Sequence, residues 1–164
     1  MNKQRQIRCF DYVNHGYVQV RDALQADALG ALSRATQTAA ARAEAVAVQL
    51  HLHVAGMDVG KQVDLAIGKI SEDAAGAGRS SPVTRMPLEW KARESTRLFP
   101  LMHAELSIYP LTATETQLDL SGHYDPPLGL FGGAVDAVVG HRIAEATLHR
   151  FMSDVAEYLK RTLA

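Results

Sequence analysis

The histidines are the first residues in this chain that could do chemistry. His51 and His53 stand two apart, so on a strand they share a face. His103 and His123 flank a turn centred on Ala113, and in a hairpin they would lie directly opposite each other. Histidines paired on adjacent strands can bind zinc or copper. All four occupy polar positions of alternating runs. Only Asp64, Glu105 or Asp119 could add a third ligand, and nothing shelters the site from water. We therefore expect no metal and no other cofactor. His141, Glu145 and His149 follow at spacing four, which suits a metal stripe on a helix but also describes an ordinary solvated helix face, and the second is the expectation. Tyr124 is the one catalytic candidate. Its hydroxyl could donate to a ligand carbonyl, although a lone tyrosine at a strand end is more often a core residue with its hydroxyl at the rim. Cys9 sits between Arg8 and Phe10 without a motif and reads as a half-buried small hydrophobe. No Ser-His-Asp ordering, phosphate loop or dinucleotide fingerprint is present. Gly129 to Gly133 precedes a helix but follows a double proline.

The elements that must position these groups have to be built from an unusual composition. Of 164 residues, 47% are hydrophobic but only 6% aromatic, and 25 are alanine. That length suits one domain, 1–164, which can build a core without disulfides or metal. The core is then either thin or contains space. A net charge of −1 leaves no basic excess for a phosphate backbone. The nearest basic cluster, Lys91, Arg93 and Arg97, is diluted by Glu89 and Glu94, so no nucleic-acid partner is expected. One cysteine excludes an intrachain disulfide and a multi-cysteine metal site. The first residues lack a signal-peptide core, and no run approaches the roughly 18 apolar residues of a membrane span, so no membrane insertion is expected and the location is read as cytoplasmic.

Residues 7–20 are strand-prone, with Asn14 to Gly16 as a turn. From Arg21 to Glu44 an alanine-rich stretch repeats Leu24, Ala28, Ala31 or Leu32, Ala35 and Ala39 at helical spacing, as one helix or two broken near Gly30 or Ser33. Residues 46–54 then alternate, which predicts a half-buried strand, followed by a turn over 56–60 and a strand over 61–70. Residues 71–83 read as a mobile loop. Three more strands follow. Met86, Leu88, Trp90 and Ala92 share one face; then Met102, Ala104, Leu106 and Ile108; then Thr116, Leu118, Leu120, Gly122 and Tyr124. Pro126 and Pro127 end the last strand. A long amphipathic helix over 134–163 carries Val135, Val138, Val139, Ile143, Ala146, Phe151, Met152, Val155, Tyr158 and Leu159 as its apolar stripe. The product is α+β: a curved antiparallel sheet wrapped around a long C-terminal helix, with an Ala-rich helical segment after the first strand.

The segment His123-Tyr124-Asp125-Pro126-Pro127, then Gly129, Gly132-Gly133, Asp136, Arg142-Ile143-Ala144 and Phe151, resembles the end of the last strand and the start of the long helix in many bacterial START-like proteins. The element order over about 7–163 resembles the helix-grip fold of that superfamily (the SRPBCC group), which includes Bet v 1-type and polyketide-cyclase-like proteins. Residue-level likeness is confined to about 121–160. Two departures stand: six strands are legible where Bet v 1-type proteins have seven, and their glycine-rich loop is reduced to Gly56–Gly60. The resemblance implies a cavity for an apolar or amphipathic small molecule, in a family that ranges from lipid, sterol and quinone carriers to cyclases and dehydratases. Its walls would be Leu65, Ile67, Met86, Leu88, Trp90, Met102, Leu106, Leu118, Leu120, Tyr124, Val139 and Ile143. Trp90 could stack on a flat ligand or anchor the core, and Met86, Met102 and Met152 could line a greasy site or fill space. The favoured reading is binding of a hydrophobic or amphipathic small molecule, such as a lipid, quinone or polyketide-like compound, in a cavity between the sheet and the C-terminal helix. The alternatives are a cyclase or dehydratase using Tyr124 with water or a helix residue, and an interaction module. Close packing through the Ala-rich helix is compatible with a homodimer.

Overall fold

The computed structural model describes residues 4–50, 63–76, 78, 80–92, 101–125 and 134–164. Strand β1 spans Arg5–Val13, and its alternation turns Ile7, Cys9 and Val13 inward and Arg8, Phe10 and Tyr12 outward. Two helices follow, α1 over Tyr17–Ala26 and α2 over Ala28–Gln49. Next come β2 (Val63–Ile67), β3 (Ser71–Asp73), β4 (Val83–Ala92), β5 (Leu101–Thr112) and β6 (Glu115–Asp125), and the 30-residue helix α3 (Ala134–Leu163) closes the chain. The strands form one antiparallel sheet in the order β1-β6-β5-β4-β2, with β3 also on β4. The α+β arrangement of sheet and C-terminal helix is the one expected.

Four local expectations give way to tertiary structure. Tyr17, Val18 and Val20 open a helix instead of extending a strand: Val20 and Leu24 are both fully buried at spacing four, and Gln19 Oε1 accepts the Gly16 N–H at 3.2 Å at the helix start. The helix break falls at Asp27, not at Gly30 or Ser33. Gly30 lies under the Asp27 carboxylate, which would have to rotate away from a methyl group placed there. Residues 46–49 belong to α2, so the strand expected over 46–54 is overturned in its first part, and 51–54 lie outside the described residues. Val46 and Ala47 complete the Ala39, Ala40, Ala43 stripe at spacings of three and four, and the helix period prevails because that stripe is buried. The loop expected over 71–83 contains β3. Its three side chains are exposed and carry no apolar alternation, so the strand rests on backbone pairing of Ser71 with Arg85 and an Arg85–Asp73 ion pair.

Contacts along α3 fix its course. Tyr124 on β6, the register partner of Arg5, bonds His141. Cys9 Sγ donates to the Leu148 carbonyl at 3.9 Å, and Lys160 lies 5.7 Å from the Tyr12 ring. The helix therefore runs parallel to β1 across the inner face. Its stripe is as expected at Ile143, Phe151, Met152, Val155 and Leu159, which are buried, whereas Val138 is 63% exposed. Helix α2 packs beside it, and Ala31, Ala35, Ala39, Ala40, Ala43 and Ala47 are buried within the chain's own core. The alanines thus bring two helices close on one sheet, and the close-packing stripe that suggested a homodimer is already covered.

Candidate functional site

The inner face of the sheet is apolar over most of its area and ends in a polar series. Arg5, Tyr124 and Met102 form one row across β1, β6 and β5. Tyr124 is fully buried. Its hydroxyl lies 2.9 Å from Nδ1 of His141 on α3, and His141 Nε2 lies 3.2 Å from Glu145 Oε1. Burial pushes the Tyr124 phenol above its ordinary pKa, and the charge and hydrogen bond of Arg5 act against that rise. The series runs from a buried phenol through a half-exposed imidazole to an exposed carboxylate, a geometry that can pass a proton between the interior and water.

Of the twelve residues expected to wall a cavity, nine are 3% exposed or less: Met86, Leu88, Trp90, Met102, Leu106, Leu118, Leu120, Tyr124 and Ile143. Leu65, Ile67 and Val139 are half-buried against the same core. Trp90 is engaged on two sides. Its Nε1–H donates to Thr36 Oγ1 at 3.0 Å, and its ring meets Phe151 edge-on at 5.1 Å. Thr36 in turn donates to the Leu32 carbonyl at 2.9 Å, so every polar atom at that contact is paired. Trp90 is thus a core anchor between sheet, α2 and α3. Cys9 is more buried than expected, at 3%, and burial, with Asp119 and Asp11, pushes its thiol up to about 12.

The outer face is different. His103 and His123 face each other in register, as the hairpin required. The His103 side chain is 73% exposed with Nε2 3.8 Å from Glu89, and His123 Nε2 lies 3.2 Å from Gln6 Nε2. They border a groove of about 600 Å³ whose walls include Gln6, Arg8, Glu105 and Ser121. A second groove, of about 670 Å³, adjoins Arg8, Arg85, Ser107 and Asp119, where Arg8 binds Asp119 through two contacts at 2.6 and 3.1 Å. Among the described residues no group of three or more His, Cys, Asp or Glu is arranged to hold a metal. His51 and His53 lie outside the described residues.

Arg5, His141 and Glu145 were not expected as site residues. Arg5 carries a signal in hindsight, since it shares the odd-numbered face of β1 with Ile7 and Cys9. The spacing of His141 and Glu145 was visible, but it described a solvated face as well as a functional one. Docking of α3 on β6 brings His141 to Tyr124, while Glu145 and His149 are exposed, as a solvated helix face requires.

No protein-family model and no curated protein matches the chain. Among solved structures it is similar to the crystal structure of the Zhui aromatase/cyclase from Streptomyces sp. R1128. Identity is 15%, coverage is 99% of this chain and 97% of that one, and the TM-score is 0.52. At that identity the likeness establishes the fold, a curved antiparallel sheet and C-terminal helix of the helix-grip type. Among the described residues no helix is long and apolar enough to cross a membrane.

Proposed function

We propose that the protein binds an amphipathic small molecule, of the lipid, quinone or polyketide-like class, on the inner side of its sheet. The observation that carries this reading is an apolar face that ends in one polar series, Tyr124 hydrogen-bonded to His141 and His141 paired with Glu145. The apolar body of the ligand lies toward half-buried Leu65, Ile67 and Val139, and its polar end meets the phenol. Trp90, the single tryptophan, lies on this inner face. Titration with dodecanoic acid and 1,4-naphthoquinone should change its fluorescence saturably. Native mass spectrometry of the freshly purified protein should show a retained small molecule. A flat titration with both probes, together with a bare mass, would remove the reading.

A second reading is favoured by the same series. Proton transfer from a ligand to the Tyr124 oxygen, with the phenol proton passing to His141 Nδ1, would leave an imidazolium beside Glu145, and the reverse would return the proton. That is the acid–base step a cyclase or dehydratase needs, and the solved neighbour is named an aromatase/cyclase. Turnover of a polyketone substrate that is lost in both Tyr124→Phe and His141→Ala would establish it.

A further inference from the structure

We infer that two copies of this chain associate edge to edge through β1, antiparallel, with the two-fold axis at Cys9. The inference is independent of any ligand on the inner face.

β1 is the terminal strand of the sheet, and among the described residues no strand pairs with its free edge. In an antiparallel ladder, alternate residues turn their N–H and C=O toward one neighbour, and the residues between turn theirs away. The Tyr12 N–H shows which set is which, because it donates to the Asp11 carboxylate at 2.8 Å instead of to β6. Gln6, Arg8 and Phe10 share its parity, so their N–H and C=O groups also point off the sheet. Among the described residues, no backbone hydrogen bond outside the ladder takes them up. An open row of this kind is a template for another strand, and most edges carry a device against such pairing. Here the devices are confined to one end. Asp11 caps the Tyr12 N–H, and Lys160 lies 5.7 Å from the Tyr12 ring. From Arg5 to Phe10 there is no proline or lysine, and the register with β6 runs without a bulge. Arg8, the one charge on the outer face of that stretch, is neutralised by Asp119 at 2.6 Å. Phe10 beside it is half exposed.

Charge and free donors choose the register and the occupant. Centring the pair on Arg8 would set two guanidiniums directly opposite each other, which is unfavourable. Centring it on Phe10 would call on the Tyr12 N–H, which Asp11 already holds. Centring it on Cys9 sets Arg8 of each copy opposite Phe10 of the other. Each such pair exchanges N–H···O=C bonds in both directions. It also repeats between copies the contact that Arg8 makes within the chain, 4.7 Å from the centre of the Phe10 ring. A second copy is therefore the strand that this edge fits, because one sequence supplies both halves of the match.

Sedimentation velocity of the full chain should show a monomer giving way to a dimer, half-associated at about 10–100 μM, in the weak class of interface. Amide hydrogen exchange read residue by residue by NMR identifies the surface. The Arg8 and Phe10 amides should exchange freely in dilute protein and slow at least about tenfold as the dimer fills. Those of Ile7 and Cys9, which face β6, should stay protected throughout. Phe10→Pro removes an N–H that the ladder with β6 does not use, and should weaken association at least about tenfold. Phe10→Lys should do the same by placing a charge on the edge. A monomer at every concentration up to about 1 mM overturns the inference. So does a dimer in which Arg8 and Phe10 still exchange freely, protection of both amides in the dilute monomer, or unchanged association in both variants. The wild-type exchange measurement decides the matter even if a variant fails to fold, and thermal melts identify that case.

Discussion

His123 and Tyr124 are neighbours on β6, one position apart, and the pleat sends them to opposite faces of the same sheet. His123 is exposed, facing His103 and touching the Gln6 amide. Tyr124 is fully buried, and its hydroxyl lies 2.9 Å from His141 Nδ1 on α3. On the outer face, rotatable side chains exchange partners with water, and exposed pairs of this kind contribute little. On the inner face the Trp90 N–H and the Tyr124 hydroxyl each have a specific partner, and losing it leaves an orphan in a low-dielectric interior. The two faces also differ in how curvature treats them. Gly122, on the inner side of β6, is pressed against β5 so closely that a methyl group would lie 2.8 Å from Ala104 Cα and against the His103 carbonyl.

The comparison breaks most visibly at Trp90. Trp90→Ala should cost about 3–5 kcal/mol, since it removes the anchor between sheet and both long helices and orphans Thr36; urea denaturation of the variant measures it, and a loss below about 1 kcal/mol would mean the inner face is loosely packed. The next largest effect is a pH dependence from Cys9. Its folded pKa is raised from 9.0 to about 12, so the folded state holds a proton that the unfolded state releases. Stability from this group is present below pH 9 and declines as pH rises from about 9 toward 12, by a few kcal/mol at the limit. Cys9→Ala should flatten that part of the stability profile, and an unchanged slope would show the thiol to be more accessible than its burial implies. Gly122→Ala should cost about 1–3 kcal/mol through overpacking, with β5 forced to shift; an unchanged melting temperature would show that the strands separate freely there. Smallest of all, His103→Ala with His123→Ala should change stability by less than about 0.5 kcal/mol. Zinc titration of wild type and this double variant should give equal, weak affinities, and a clear difference would place a metal on the outer face after all.

Much of this was legible in the sequence where the local period was strong and unopposed. The alternation in β4, β5 and β6 named the inner residues, the hairpin centre at Ala113 gave the His103–His123 register, and α3 took the expected span. Reading failed where two periods overlapped or none existed. Val46 belongs equally to an alternating run and to a helical stripe with Ala43 and Ala47, and burial of that stripe selects the helix. Ser71–Asp73 has no apolar member to register, and its strand exists because β4 offers an edge.

The sequence by itself determined which side chains share a face, because that follows from backbone geometry within a few residues. It also determined that Tyr124 would stand at the end of an apolar row. Only the tertiary structure decided what Tyr124 would meet. Arg5 reaches it through the register of β1 on β6, and His141 through the course of α3 along β1. Neither depends on local periodicity. Each depends on how strands and helix pack to bury the remaining apolar surface, and that packing turns a solvated-looking histidine into the partner of a buried phenol.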